Sequence, residues 1–538
     1  MKQGSAVAKF FTNGTIWCSF GVQARSLRID QGLIVGVNEQ PQPDDQIIDL
    51  QGQFLAPAFM DGHAHPLFAG RQSQGPLVNA LQTVDEILAE VKRFADAHPD
   101  QPWIIGGAYE AAIVERGDFL ATWLDQVVPD RPVVLRAVDH HTIWVNTKAI
   151  ELAGITAATP DPDGGTIARN PDGTARGTLR EPSAMDLVMG QSPAATIEKD
   201  VEAIAWASDQ YLHSGVTAAT DAWIEPGMAE AYIAADKSGA LQIDMNLFFL
   251  AQPDSWQERA DSFLALRAQI QGLGPTSLLR ANTIKIILDG ALSSGTAALL
   301  EPYLDDPSSK GLLIWPNELL LQAATHFDTQ GFQLHLHAIG DAAVRQGLDL
   351  IEQLNTNSPR PDRRAVIAHA QLVDAADMSR FAHLGVIANY QPLWMYLDPM
   401  NAKLIAPRIG DERNNRQYQL ASMIKSGAQI AYGSDWPVTS QVPLAALAIP
   451  THRQTADLQP PHGWSPQESI SIEQSLSFYT HSVAYQNFNE DRFGVLAVGM
   501  QADLMVLDAN PMTTPPHDVA KIRVTAVYKK GEAVIGKP

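Results

Sequence analysis

The chain has 538 residues, 45% of them apolar and 18% charged, with 38 Lys and Arg against 60 Asp and Glu and a net charge of −22. That length exceeds one small core and predicts two or three structural units, and the composition argues against disorder. An acidic surface repels polyanions, which argues against nucleic acid and anionic membranes as partners.

Residues 5–55 read as short β-strands and turns. Examples are residues 8–11, the Asn13-Gly14 turn, 16–20 and 32–37. Asn-Gly between apolar runs is a strong hairpin signal. The single cysteine, Cys18, lies in one of these strands and reads as a small core residue. With no second cysteine there is no intrachain disulfide, which fits a reducing, cytoplasmic setting. Residues 1–11 lack a long apolar leader segment, and no run approaches the length of a membrane span.

An apolar run over residues 54–60 leads into Asp61-Gly62-His63-Ala64-His65-Pro66. Residues two apart on a strand share a face, so His63 and His65 project two imidazoles in one direction. Such a pair suits a divalent metal such as Zn²⁺, although histidine pairs also arise by chance. Residues 75–185 read as an insertion over a barrel mouth. They hold a helical pattern at 84–98 and a Gly/Pro/Asp-rich run at 159–177.

The middle of the chain alternates strands with helices. Strands are expected at 132–136, 216–220, 243–250, 283–288, 333–337, 365–369, 386–389 and 429–432, and helices at 198–214 and 342–354. Repeated β-then-α units predict a parallel sheet, most simply a closed (β/α)₈ barrel. The C-terminus returns to strands at 503–508 and 524–528, then a Lys530-Gly531-Glu532 turn and residues 533–535. The expected layout is a β-sandwich of residues 1–57 plus 490–538 around a barrel of residues 58–489.

In such a barrel the functional side chains belong at the C-terminal ends of strands. His337, His369 and Asp435 fall there. Each has a plainer alternative: a hydrogen-bonded core histidine, or a helix cap for Asp435. Lys285 interrupts the apolar strand Ile284-Lys285-Ile286-Ile287. A lysine there is costly unless it is paired with a carboxylate or chemically altered. One such alteration is carbamylation by carbon dioxide, which yields a carboxylate able to bridge two metals.

These stretches, taken in order, resemble the amidohydrolase superfamily. Within it they resemble the amidohydrolase-3 group of YtcJ-like and N-substituted formamide deformylase-like proteins. The likeness runs through Ala56-Pro57-Ala58-Phe59-Met60-Asp61-Gly62-His63-Ala64-His65, residues 133–152 with His141 and Asn146, and 164–181. It continues through Lys285-Ile286-Ile287-Leu288-Asp289-Gly290, His337-Ala338-Ile339-Gly340-Asp341 and His369-Ala370-Gln371. It ends in Gly433-Ser434-Asp435-Trp436-Pro437 and Gly499-Met500-Gln501-Ala502-Asp503-Leu504. Ala58 departs from the glycine usual there and touches no expected ligand.

The resemblance implies an α/β fold, a (β/α)₈ TIM barrel with a small β-sandwich built from both termini. It implies one or two divalent ions, Zn²⁺ foremost. His63 and His65 would hold the first. Carbamylated Lys285 would bridge to a second held by His337 and His369, and Asp435 would bind the first metal or its water. His335, two residues before His337, is the alternative ligand. The expected reaction is hydrolysis of a carbon–nitrogen bond in a small-molecule linear amide, such as an N-substituted formamide or N-acyl amine. The metals would activate water and Asp435 would move the proton. His141 is the candidate for the carbonyl or its oxyanion, with a structural histidine as the alternative. Tyr109, Glu110, Trp394, Tyr396 and Trp436 are candidates for the pocket wall, with packing as their alternative. The rival functions are a deaminase or cyclic-amide hydrolase on the same barrel and, third, a non-catalytic relative. A homodimer is left open.

Overall fold

The computed structural model describes residues 7–79, 81–138 and 141–536; residues 1–6, part of the expected leader-free N-terminus, lie outside them. Eight strands form one parallel sheet in sequence order. They are β1 (Phe59–Ala64), β2 (Val216–Ile224), β3 (Asp244–Ala251), β4 (Leu279–Ile287), β5 (Gln333–Ala338), β6 (Val366–His369), β7 (Ile387–Tyr390) and β8 (Gln429–Tyr432). Nearly all of their residues are buried, as expected of strands packed on a filled interior and an outer ring of helices. Helices Ile197–His213 and Asp341–Asn357 match the helical patterns in the sequence. The strand expected at 132–136 forms as Val133–Ala137 and pairs only with strands of the insertion, outside the parallel barrel run, whose first strand is Phe59–Ala64 with His63 on it.

The seam between β8 and β1 explains the glycine inside Asp61-Gly62-His63. A Cβ at Gly62 would stand 2.7 Å from the Tyr432 carbonyl oxygen, and one at Gly433 would stand 2.6 Å from the His63 nitrogen. The Asp435 N–H donates to the His63 carbonyl at 2.7 Å, and the His65 N–H donates to the Trp436 carbonyl at 2.6 Å. Gly62→Ala should therefore destabilise the protein by about 1–3 kcal/mol through overpacking, seen as a lower thermal midpoint. An unchanged midpoint would show that the seam has room.

Chain segments from both ends form two further sheets. In a six-stranded sheet Leu504–Leu507 pairs antiparallel with Phe54–Pro57, so the C-terminal segment lies against the strand that leads into the barrel. Strand alternation gives that sheet two buried faces. Leu55, Leu504 and Val506 pack toward a four-stranded sheet carrying Phe11, Leu27, Ile29 and Ile34, while Phe54, Met505 and Leu507 join the barrel core. Cys18 is buried in the first of these clusters, and burial pushes its thiol up to about 11, as for an inert packing residue.

The insertion is a five-stranded sheet of its own. Its spatial order is Thr166–Arg169, Ala175–Arg180, Thr142–Val145, Val133–Ala137, Ile104–Tyr109. Helix Val84–Ala97, started by a Thr83–Glu86 capping box, covers one face through Ile87, Val91 and Phe94. Helix Pro182–Met189 covers the other through Ala184, Met185 and Val188.

Candidate metal centre

The barrel and its connecting loops deliver seven titratable side chains to one place. His63 is the penultimate residue of β1, and His65 sits just past the strand as the residue heading helix Pro66–Ser73. Lys285 and His335 are direct register partners on β4 and β5, so they share a level of the interior, and His337 lies one layer nearer the strand ends. His369 closes β6. Asp435 follows β8 on the connecting loop.

His63, His369 and Asp435 each offer a ligand atom within 4.8 Å of the others, and all three are buried. His65 Nε2 lies 3.0 Å from Asp435 Oδ1 and His63 Nε2 lies 3.4 Å from it. Lys285 Nζ stands 3.3 Å from His63 Nε2 and has no carboxylate within ion-pair distance among the described residues. The His337 ring centre is 4.6 Å from that of His369. His337 Nε2 faces the Gly290 carbonyl at 3.4 Å and Asp289 Oδ1 at 3.6 Å, which leaves Nδ1 as its available donor atom. His65 Nδ1 is buried with no hydrogen-bond partner among the described residues. Three or more imidazoles and a carboxylate converging in a buried pocket are the donor set of a borderline divalent ion, so these residues fit a metal.

His335 is placed differently from His337. Its Nε2 lies 2.7 Å from His63 Nδ1, so it sits behind a candidate ligand and fixes that ring. His369 is oriented by a chain of amides. Its Nδ1 donates to Gln391 Oε1 at 2.8 Å, and Gln391 donates to Asn389 Oδ1 at 3.0 Å. Asn389 then donates to Gln486 Oε1 and Gln486 to the Gly62 carbonyl, both at 2.8 Å. With Nδ1 acting as a donor, His369 presents Nε2 as a lone pair, the arrangement metal-binding imidazoles require. Asp61 is a clamp: it accepts from the Ser434 N–H at 2.9 Å, the Ser434 hydroxyl at 2.5 Å and the Tyr211 hydroxyl at 3.0 Å. It thus ties β1 to the loop that carries Asp435.

Burial favours the neutral form of His63, His335, His337 and His369. Burial, and then the neighbouring Lys285 amine, push His63 well below its ordinary value. Burial takes His369 down to about 4 against the opposing pull of Asp435. Burial lowers the Lys285 amine to about 7, again opposed by Asp435. Burial works to raise the Asp435 carboxyl, but its contacts with His63 and His65 outweigh that and hold it well below the carboxylate range. Two of these residues carry unusual backbone: His369 has φ +74° and Asp435 φ +57°. Left-handed conformations in non-glycine residues cost about 1 kcal/mol or more and persist where the surroundings enforce them.

The centre opens into a cavity of about 640 Å³. Barrel loops supply Trp394 and Tyr396, and the insertion supplies Glu110, Arg136 and His141. Trp394 lies flat against His369, centroids 5.2 Å apart and planes 8° apart. His141 Nδ1 lies 2.8 Å from Glu181 Oε2, and the other Glu181 oxygen accepts from the Thr296 hydroxyl at 2.8 Å. The His141 ring stands 6.2 Å from that of His337. Two expectations are corrected. Tyr109 packs on Phe119 and Trp144 inside the insertion, and Trp436 lies between Trp206 and Tyr211; neither is part of the cavity lining. Sequence reasoning missed the supporting roles of Asn389, Gln391, Gln486 and Glu181. Neutral amides far apart in the chain give no local signal, whereas Glu181 closes the 164–181 stretch that carries part of the family likeness.

A parallel eight-stranded barrel with histidines and a carboxylate gathered at its C-terminal strand ends defines a metal-dependent hydrolase of the barrel type. The amidohydrolase family model matches residues 46–535, and the chain belongs to that family. It is 30% identical to the protein LONG AFTER FAR-RED 3 of Arabidopsis thaliana over 97% of this chain and 90% of the relative. It is 28% identical to the YtcJ amidohydrolase of Bacillus subtilis (96% and 97%) and 26% identical to the N-substituted formamide deformylase of Arthrobacter pascens (91% and 90%). In fold it matches an uncharacterized metal-dependent hydrolase from Pyrococcus horikoshii at a TM-score of 0.75 and 23% identity, covering 95% of this chain and 99% of that one. The protein is accordingly a metal-dependent hydrolase acting on carbon–nitrogen bonds.

Proposed function

We propose that the chain hydrolyses linear amides, with N-substituted formamides and N-acyl amines as the substrate class. The observation that carries this reading is the convergence of His63, His65, His369, Asp435 and Lys285 in a cavity of about 640 Å³ that His141 also lines. Likeness to an N-substituted formamide deformylase along 91% of the chain supports the substrate class. His63, His65 and Asp435 would hold one divalent ion, with Zn²⁺ the best match to the donors. His337 and His369 would hold a second. Lys285, carbamylated, would bridge them. In that modification the lysine nitrogen bonds to the carbon of CO₂ and a proton leaves the amine. When bound, the metals make water a nucleophile near neutral pH and polarise the substrate carbonyl.

The protein residues supply the remaining chemistry. Asp435 takes the proton of the attacking water at a carboxylate oxygen and returns it to the departing nitrogen. His141, held by Glu181, faces the carbonyl oxygen as negative charge develops on it. His335 and the Gln391 chain hold His63 and His369 in the tautomers that keep Nε2 free. The lone buried cysteine supports a cytoplasmic setting, and no helix among the described residues is long and apolar enough to cross a membrane.

Purified protein supplied with Zn²⁺ should release formate and an amine from N-substituted formamides. Prolonged dialysis against a chelator should abolish turnover, and added Zn²⁺ should restore it. Metal-replete protein that hydrolyses no member of a broad amide panel would overturn this reading. One metal per chain with an unmodified Lys285 would favour a deaminase or cyclic-amide hydrolase instead.

A further inference from the structure

The cavity has a second polar group of residues beside the metal centre. Trp223, whose ring lies 6.1 Å from that of His65, donates its indole N–H to Glu225 at 2.8 Å. Around Glu225 the cavity is lined by Arg71, Arg136 and Asp186. The two arginines differ in their bonding. Arg71 is committed to Asp200 by two contacts of 2.7 Å. Arg136 makes no side-chain hydrogen bond or ion pair with any described residue.

Arg136 lies on the insertion strand Val133–Ala137. Alternation places it on the same face as Val134, which packs in the cluster containing Ala184 and Met185. The residue is half-buried there and lines the cavity, and fully desolvating a guanidinium without a partner would cost several kcal/mol. Glu225 and Asp186 act on it through space, and neither reaches ion-pair distance. The five N–H donors of Arg136 are therefore available at a cavity wall that belongs to the substrate space.

A guanidinium presents a planar fork that matches the two oxygens of a carboxylate. Glu225 and Asp186 stand close enough that a dianion such as a phosphate monoester would be repelled, whereas a monoanion shared between Arg136 and the free edge of Arg71 would be tolerated. We propose that Arg136 determines substrate specificity by binding a carboxylate carried by the substrate remote from its scissile amide. This deepens the linear-amide reading and rests on it. The substrate class becomes amides that bear a single carboxylate, in preference to neutral amides of the same length.

The test compares kcat/KM for N-formyl ω-amino acids in a graded series of chain lengths with that for N-formyl alkylamines of matching length. Wild-type protein should prefer the acid by about tenfold or more at the best length, the effect of one charge-assisted bidentate contact. Arg136→Gln should erase that preference, chiefly through KM, and Arg136→Lys should keep part of it. Equal use of acids and neutral amides by wild type at every length would overturn the proposal. So would a preference that survives Arg136→Gln in protein with a wild-type thermal midpoint. Should no amide be turned over, the linear-amide reading fails, and the subsite is read separately. Calorimetric titration of the intact N-formyl acids should then show binding to wild type that weakens about tenfold or more in Arg136→Gln. Equal binding to both proteins would overturn the subsite.

Discussion

Asp435→Asn should lower kcat by about 10³-fold, within the range for loss of a positioned general base, while the protein keeps its metal. The carboxylate is buried and lies 3.0 Å from His65 Nε2 and 3.4 Å from His63 Nε2. The amide has the same shape and retains one oxygen toward the histidines, but it cannot take up a proton. The loop should also survive the change. Residue 435 has φ +57°, a conformation in which asparagine is enriched, and its anchor to the His63 carbonyl is a backbone bond. Metal content by elemental analysis and turnover measured on the same preparation separate the outcomes. Retained metal with lost turnover supports the base. Most of the activity remaining would show that Asp435 is not the base, and loss of metal would show that it acts mainly as a ligand. His63→Ala provides the contrast, because removing an imidazole from the donor set should reduce metal content directly.

Much of this centre was legible because strand geometry is simple. Period-two alternation makes His63 and His65 neighbours, and the C-terminal ends of parallel strands gather His337, His369 and Asp435. What alternation does not show is where a strand stops. His65 lies past the end of β1 at the head of a helix, and reaches Asp435 from there. The choice between His335 and His337 needed coordinates. Both are on β5 with the same parity, and only the contact of His335 with His63 places it behind that ring. The run at 132–136 has the texture of a barrel strand, because a buried strand of an insertion sheet is equally apolar. Tyr109 and Trp436 show the same limit for aromatics: both sit next to site residues in sequence while packing against other rings. The amide chain from His369 to Gly62 joins residues far apart in sequence, Asn389 and Gln486 being separated by 97 positions and Gln486 and Gly62 by 424. No local pattern announces such a link, since a neutral amide is unremarkable until it is buried among others.

Lys285→Ala should reduce metal content from two ions toward one and lower kcat/KM by about 100-fold or more, the scale on which metal-site support residues act. The argument starts from the cost of the native residue. Lys285 is buried between Ile284 and Ile286 on β4, with its amine 3.3 Å from His63 Nε2 and no described carboxylate within ion-pair distance. A plain ammonium there would stand against a cluster of potential metal ions and repel them. Carbamylation reverses the sign of the charge and adds two oxygens, which turns a residue opposed to metal into a ligand for it. Two measurements follow. Protein prepared with carbon-13 bicarbonate should carry one labelled carbamate, absent from Lys285→Ala. Acetate or propionate added to Lys285→Ala should restore part of the activity, because a short carboxylate can occupy the space the side chain leaves and supply the same oxygens. An unlabelled lysine in active wild-type protein, or a Lys285→Ala variant with full metal and full activity, would remove the bridge. The centre would then reduce to the single ion that His63, His65 and Asp435 can hold, with Lys285 acting as a neutral amine beside it.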